Sequence, residues 1–251
     1  MTKYSTTGPG YLLRGFELIT RPGLRRFVIV PLLLNVLIFG ALTWFAASEF
    51  QQFVAWLLSY VPSWLQWLAW LLWPLFALLG LIVIFFSFTL VANFIGAPFN
   101  GLLAEAVEQQ LTGRAPGGQS WRKMLRDVAP SLWGEARKLM YFLWRAALLL
   151  PLFIIPGVNV IAPLAWLAFS AWMMALQYSD YPLANHGVAF PAQRRTLAAH
   201  RFTALSFGGA VLLATLIPLL NFFVMPAAVA GATALWTERL RRENPHTKAQ
   251  T

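Results

Sequence analysis

Cysteine is absent from the 251 residues, which excludes disulfide bonds and thiolate metal sites. Histidine occurs only three times, and the chain has no His-Glu-x-x-His or Gly-x-Ser-x-Gly pattern, the motifs of common metal and serine hydrolases. It also has no Gly-x-x-x-x-Gly-Lys loop, so it does not bind ATP through that motif to power a reaction. These absences predict a protein that is not an enzyme and that needs neither a metal nor another cofactor.

The sequence is also poor in charged residues. Only 11% of the residues are charged and 59% are hydrophobic, whereas soluble domains are about 25% charged. The ranges 27–48, 50–104, 146–179 and 202–237 contain no charged residue. A soluble core of this size could not bury so much apolar surface, so the sequence predicts an all-α integral membrane protein whose immediate partner is the lipid bilayer.

The net charge of +10 could indicate nucleic-acid binding, but its distribution argues otherwise. The basic residues lie in 3–26, 114–145, 194–201 and 239–248, each beside a hydrophobic block. Because cytoplasmic loops are rich in Lys and Arg, this pattern predicts a multi-pass membrane protein with both termini cytoplasmic and no nucleic-acid partner. Residues 1–26 do not resemble a secretory signal peptide.

The first two hydrophobic blocks are long enough for a transmembrane hairpin over 24–95. One helix is predicted at about 24–48 and a return helix at about 66–95. The aromatic stretch between them contains Trp56, Tyr60 and Trp64 and continues to Trp73. Such density is typical of the headgroup level, and we expect 50–66 to lie along the outer interface.

The other two blocks, 146–179 and 202–237, have 34 and 36 residues, fewer than the roughly 40 that two full spans and a turn require. Each has an Ile-Pro-x-x-Asn break, at 155–159 and at 217–221. The pattern predicts two short helical hairpins that are re-entrant or only partly penetrate the membrane, and such repeats are typical of transport pathways. Two tight turns that reach the far interface remain an equal alternative.

A polar segment, 101–145, separates the hairpins and has amphipathic helical spacing from Trp121 to Trp133. We predict a helix over 101–112 that ends at Gly113, a cytoplasmic amphipathic helix, and a basic tail over 238–251. All these segments together form one predicted membrane domain, 1–251.

The segment Gly23-Leu24-Arg25-Arg26 precedes the first charge-free block. With Thr20 as a cap and Pro22 in the first turn, it predicts a helix start near Leu24. Unpaired amides and two guanidinium groups at such a start suit an oxyanion. The alternative is that the two arginines only fix the orientation of the helix in the membrane.

Polar side chains inside or beside the hydrophobic blocks are candidates for lining a path. They are the amides of Asn35, Asn93, Asn100, Asn159 and Asn221. Such residues can also simply join helices by hydrogen bonds. Glu105 and Glu108, one helical turn apart, are candidates for a gate or a charge network, and they would need neutralising by arginine, for example Arg137 or Arg145. A solvated helix face is the alternative for Glu108, and His186 beside Asp180 is a weaker candidate for pH sensitivity.

The chain resembles the CysZ sulfate permeases of the bacterial inner membrane over nearly its whole length. The resemblance is carried by Pro22-Gly23-Leu24-Arg25-Arg26-Phe27, by the run from Ala97 to Glu105, by Phe169–Met173, by Asp180-Tyr181-Pro182 with Asn185-His186, and by 217–221 and 231–234. The long run at Ala97–Glu105 is the most specific of these, and the loop 114–120 and the C-terminal tail depart from the family pattern.

This resemblance implies sulfate uptake for cysteine biosynthesis, a homo-oligomer, and sulfate held at Gly23, Leu24, Arg25 and Arg26. Sulfite and related oxyanions are possible further substrates because they differ little from sulfate in shape and charge. Three mechanisms stay open at this point: a channel-like pathway, a proton-coupled symporter, and a scaffold or helper protein that does not itself transport.

Overall fold

The computed structural model describes residues 7–62, 69–114 and 128–241, and each regular element in these ranges is helical. The elements are α1 (Gly8–Ile19), α2 (Arg26–Ser59), α3 (Ala69–Thr112), α4 (Val128–Leu149), a 3-10 turn (Leu150–Phe153), α5 (Ala162–Asn185), α6 (Phe190–Ala199), α7 (Arg201–Thr215), α8 (Pro218–Leu235) and a π-helical turn (Trp236–Leu240). The predicted all-α class is therefore confirmed. The segment 115–127 lies outside the described ranges, so the amphipathic helix from Trp121 stays a prediction.

The chain divides into two compact units. The first consists of Met1–Val28 with Asn100–Thr251, and the second is Ile29–Phe99. In the first unit, α1, α5 and α7 pack around α8. Small side chains dominate the buried stretch of α8, where every residue from Val224 to Leu235 except Met225 is buried. The core of this unit is thus built on one central helix.

Glycines let the helices of the first unit approach closely. A methyl group on Gly15 of α1 would overlap the carbonyl oxygen of Ala227 in α8. In return, a methyl on Gly231 would lie 2.5 Å from the carbonyl oxygen of Tyr11. Such small-residue contacts are the usual way in which helices of membrane proteins pack. Two glycines on opposite helices therefore fix the α1–α8 distance.

Helix α1 was not expected from the sequence, which suggested only a polar and basic segment over 1–26. Thr7 caps its start by accepting a hydrogen bond from the Gly10 amide at 3.4 Å, and Pro9 lies in its first turn. Its apolar face, including Tyr11, Leu12 and Leu18, is buried. The segment is thus a core helix rather than a polar leader.

The second unit contains most of α2 and the larger part of α3. The candidate span Arg26–Phe45 is long and apolar enough to cross a membrane, and no residue of the window that meets this test is buried within the chain. Large side chains such as Leu37, Trp44 and Phe45 face outward. Exposed apolar area of this extent indicates a lipid contact.

Both long helices exceed their predicted bounds. Helix α2 does not end near residue 48 but continues to Ser59, so the expected interfacial segment 50–66 is helical up to that point. Helix α3 does not end near residue 95 but continues through Pro98 to Thr112. The predicted separate helix over 101–112 is therefore the last part of α3, and Gly113, at φ 73°, ends it as predicted.

Both short blocks have a helical break where the sequence places Ile-Pro-x-x-Asn. In the first, the chain turns over 154–161 with Gly157 at φ 81°, and in the second α7 and α8 meet at Leu216 and Ile217. Large apolar side chains are exposed at both breaks, with Ile154 81% and Leu219 80% accessible. Pro218–Leu240 is a second candidate membrane span. Helices α6 and α7 pass the same test when taken together, as one span with a bend of 103°. Together with Arg26–Phe45, these segments define a membrane protein.

Candidate anion-binding turn and buried charge network

A tight turn joins α1 to α2 and contains the four residues predicted to hold an anion. The Leu24 and Arg25 amides both donate to the Arg21 carbonyl, at 3.1 and 3.3 Å. Gly23 adopts φ 85°, a left-handed conformation that favours glycine. Leu24 is only 3% exposed and belongs to the hydrophobic core of the first unit. The buried leucine therefore anchors the turn while the residues on either side of it remain exposed.

Arg25 and Arg26 both lie exposed at the start of α2. The Arg26 guanidinium carbon is 4.8 Å from the centroid of the Phe27 ring. Among the described residues, no carboxylate pairs with either arginine and no carbonyl accepts the amide hydrogens of Gly23 and Arg26. Two guanidinium groups and two amides are thus available to an anion at this helix start.

The expected role of Thr20 is wrong. Instead of capping α2, this residue closes α1, where its hydroxyl donates to the Glu17 carbonyl at 2.7 Å. The expected start of α2 near Leu24 moves to Arg26. Nor do the amides of Leu24 and Arg25 remain free, because Arg21 accepts from both. The donors open to an anion are fewer than the sequence suggested, although they come from the same four residues.

The five asparagines lie in different environments. Asn35 is half-buried in α2 and Asn93 lies on α3, both in the second unit. In the first unit, Asn100 is 5% exposed, whereas Asn159 and Asn221 are exposed at the two helical breaks. The amide nitrogen of Asn100 makes no hydrogen bond of normal geometry among the described residues, although the Tyr181 side chain lies close enough to interact with it. Asn100 is therefore the buried asparagine of this unit, with at least one amide hydrogen to spare.

A buried charge network surrounds Glu108 near the end of α3. Its carboxylate is 2% exposed and accepts a hydrogen bond from Arg241 at 3.0 Å. Nε2 of His186 lies 2.9 and 2.8 Å from the two carboxylate oxygens. The expectation of a solvated face for Glu108 is therefore wrong. At Glu108, Arg241, a residue that the sequence did not single out, takes the place that was predicted for Arg137 or Arg145.

A second network joins α4, α5 and α6 through Asp180. Lys138 donates to Asp180 at 2.5 Å and to Glu135 at 2.7 Å, and Gln193 donates to the other Asp180 oxygen at 2.7 Å. Burial acts to lower the pKa of Lys138, but the carboxylates of Asp180 and Glu135 outweigh it, so the pKa is raised. These contacts hold the three helices together. Asp180 therefore pairs with Lys138 and Gln193, and not with His186, its expected partner.

Other side chains of the predicted motifs have structural roles. Glu105 is half-buried one turn before Glu108. The side-chain amide of Asn185 donates to the Gly101 carbonyl at 3.0 Å and so ties the end of α5 to α3. Among the residues in 7–62, 69–114 and 128–241, no group of three His, Asp or Glu side chains could hold a metal ion. The chemistry at hand is therefore that of cations and hydrogen-bond donors.

These features define an all-helical membrane protein with an exposed cationic turn at the start of an apolar helix. Comparison with known proteins assigns the family. Residues 11–226 match the family described as Sulfate transporter CysZ/Etoposide-induced protein 2.4, and the chain belongs to this family. It is also similar to the Sulfate transporter CysZ of Pectobacterium atrosepticum, with 45% identity over 239 residues, 95% of this chain and 87% of that protein. The predicted family resemblance is confirmed.

Proposed function

We propose that this protein carries sulfate across the bacterial inner membrane for assimilation into cysteine, and that sulfate first binds at Gly23, Leu24, Arg25 and Arg26. The similarity to a protein named as a sulfate transporter supports the substrate. One observation supports this first binding site: the guanidinium groups of Arg25 and Arg26 are exposed and have no carboxylate partner among the described residues.

Sulfate is a doubly charged anion, and removing its water is costly unless charged donors replace it. A guanidinium offers a planar fork that contacts two oxygens at once, and the amides of Gly23 and Arg26 can donate to a third. The positive end of the α2 dipole acts in the same direction. The turn is exposed, so water shares the site and binding stays weak enough for release, as conduction requires.

Beyond this turn, the proposed path is channel-like and uses asparagine side chains in place of further arginines. Asn35, Asn93, Asn159 and Asn221 are candidates, and Asn100 is the one whose amide is buried in the first unit. An amide nitrogen carries two hydrogens, and Tyr181 can accept one of them. The other could be donated to a passing anion, which is the reason for placing Asn100 on the path.

The acidic pair fits an anion path only if its charge is balanced. Glu108 meets that condition, because Arg241 and His186 contact both of its oxygens. We assign Glu108 to a charge network that holds α3 in place, and Glu105, nearer the surface, to gating. Proton coupling through this network is the second candidate mechanism, supported by the direct contact between a carboxylate and an imidazole.

The proposed topology places both termini in the cytoplasm, with the basic segments on that side. We propose that the two short hairpins are re-entrant or only partly penetrate the membrane, in keeping with their exposed apolar turns at Ile154 and Leu219, although Pro218–Leu240 alone is long enough to cross. Hairpins of this kind need other protein around their irregular backbone. We therefore propose that a homo-oligomer completes the path.

The decisive test is uptake of radiolabelled sulfate into liposomes that contain only the purified protein. At about 1.5 kcal/mol for each charged hydrogen bond, an Arg25→Ala/Arg26→Ala variant loses about 3 kcal/mol, more than 100-fold in affinity. Uptake at low sulfate should fall accordingly. The matched control is Arg114→Ala/Arg195→Ala, which removes two exposed arginines from other parts of the chain and should leave uptake unchanged.

Two further measurements separate the alternatives. A scaffold protein would show no uptake alone and would tolerate Arg25→Lys/Arg26→Lys, whereas a site that needs the planar fork would lose affinity with lysine. For the mechanism, sulfate accumulation against its gradient when a pH gradient is applied would establish a symporter. Strictly downhill flux would establish a channel. Competition by sulfite would show whether related oxyanions share the site.

A further inference from the structure

A cavity in the first unit lies apart from the anion-binding turn and from the Glu108 network. Its volume is about 480 Å³, and it opens between α4, α5, α6 and α7. The residues that matter to its chemistry are Tyr141, Arg145, Leu148, Trp172, Ala198 and Arg201. It thus combines cationic and apolar walls in one space.

The cationic side is formed around Tyr141. The guanidinium carbons of Arg145 and Arg194 lie 5.4 and 4.5 Å from the centroid of its ring. Trp172 donates its indole hydrogen to the Tyr141 hydroxyl at 3.1 Å and fixes the ring. Arg201 completes the rim. Within the described parts of the chain, none of these arginines pairs with a carboxylate.

Apart from these residues, the lining of the cavity is apolar. Leu148 and Leu149 of α4, Phe169 of α5 and Leu205 of α7 line it. Leu148 is 54% exposed, so this wall continues onto the outer surface of the helices. An inorganic anion would gain nothing from such a wall, because it cannot hydrogen-bond there. A ligand with a charged head and an apolar chain would use both sides.

The sequence places the cationic rim at the membrane surface. Arg145 is the last charged residue before the charge-free block 146–179, and Arg201 is the last before 202–237. Helix α6, which carries Arg194 and Arg195, bends by 103° from α7. If α7 enters the membrane, a helix at this angle lies along its surface. The rim is then at the depth of lipid phosphates, and the apolar wall is at the depth of acyl chains.

We propose that this cavity binds an anionic phospholipid, with its phosphate between Arg145 and Arg201 and an acyl chain along Leu148 and Leu205. Basic pockets between membrane helices on the cytoplasmic side suit such headgroups. A zwitterionic lipid would bring a quaternary ammonium close to the guanidinium groups and bind more weakly. The proposal does not depend on which solute the protein carries.

The test is native mass spectrometry of the full chain in detergent, titrated with dioleoyl phosphatidylglycerol, dioleoyl phosphatidylcholine, glycerol 3-phosphate and sulfate. One phosphatidylglycerol should bind more tightly than phosphatidylcholine or glycerol 3-phosphate, and added sulfate should not displace it. Each arginine near a membrane surface is worth about a fivefold change in affinity for an anionic lipid. An Arg145→Gln/Arg201→Gln variant should therefore weaken phosphatidylglycerol binding by about 30-fold.

Two control variants make the result specific. Arg114→Gln/Arg195→Gln removes the same charge from exposed positions outside the cavity and should leave the affinity within about twofold. Ala198→Phe keeps every charge but fills the cavity, and it should weaken lipid binding. Equal affinity for the two phospholipids, or equal losses in both double-arginine variants, would overturn the proposal. Glycerol 3-phosphate or sulfate that binds as tightly as phosphatidylglycerol, and that loses this affinity in the Arg145→Gln/Arg201→Gln variant, would also overturn it, in favour of a free-anion site in the cavity.

Discussion

Replacing Arg241 with alanine should destabilise the first unit through the buried carboxylate of Glu108. That carboxylate is 2% exposed and receives the Arg241 guanidinium at 3.0 Å. In the variant, only the His186 contacts at 2.8 and 2.9 Å remain. The buried Glu108 carboxylate therefore retains only one of its two partners.

The size of the effect follows from the exposure of the two groups. Breaking a fully buried ion pair costs about 3–5 kcal/mol. The Arg241 side chain is 33% exposed, so water can reach part of the space it leaves, and we expect a loss of about 2 kcal/mol. For a chain of this size, each kcal/mol lowers the midpoint of thermal unfolding by about 2–4 °C. The midpoint should therefore fall by about 4–8 °C.

Thermal unfolding in detergent, followed by intrinsic tryptophan fluorescence, measures this fall. Arg195→Ala, at an exposed position of α6, is the control and should shift the midpoint by less than about 1 °C. In a Glu108→Gln background, Arg241→Ala should cost about 1–2 kcal/mol less than in the natural protein, because no buried charge is left unpaired. Equal losses in both backgrounds would refute the reasoning.

Two glycine substitutions test other parts of the structure by the same unfolding measurement. Gly15→Ala puts a methyl on the Ala227 carbonyl and should cost about 1–3 kcal/mol. Gly134→Ala in α4 meets no neighbour and should stabilise by about 0.5–1 kcal/mol. A gain in both variants would show that helix propensity, and not close packing, decides the effect at Gly15. Gly23→Ala forces alanine into φ 85°, at a cost of about 1–2 kcal/mol. It should weaken sulfate binding in isothermal titration calorimetry, and unchanged affinity would argue that sulfate does not depend on this turn conformation.

Local sequence was sufficient for the helical class, for the breaks in the two short blocks and for the end of α3. Charge-free runs of more than 20 residues leave few options besides membrane helices. Pro156-Gly157 lies within the first break, and Pro218 is the first residue of the helix that follows the second, where its missing N–H costs no helical hydrogen bond. Gly113 ends α3 because it readily adopts a left-handed conformation. Each of these features depends on the residues at that position and their immediate neighbours.

Local sequence was misleading where two local conformations have similar free energies. Thr20 could cap a following helix or close a preceding one, and the burial of α1 selects the second. Burial also explains why α3 continues past Pro98, since Leu103, Ala104 and Val107 just beyond it are fully buried. The packing of that segment outweighs the hydrogen bond lost at the proline. Helix α1 itself could have been found from the helical spacing of its apolar residues.

The sequence by itself determined that the chain is a helical membrane protein, and it identified the cationic turn at Arg25 and Arg26, because composition and short-range spacing decide both. Only the tertiary structure paired Glu108 with Arg241, 133 residues away, and only the tertiary structure brought Arg145 and Arg201 to one cavity. A charge in the sequence has many possible partners. The packing of α1, α5 and α7 on α8 decides which of them can meet, since burial makes an unpaired charge too costly to keep.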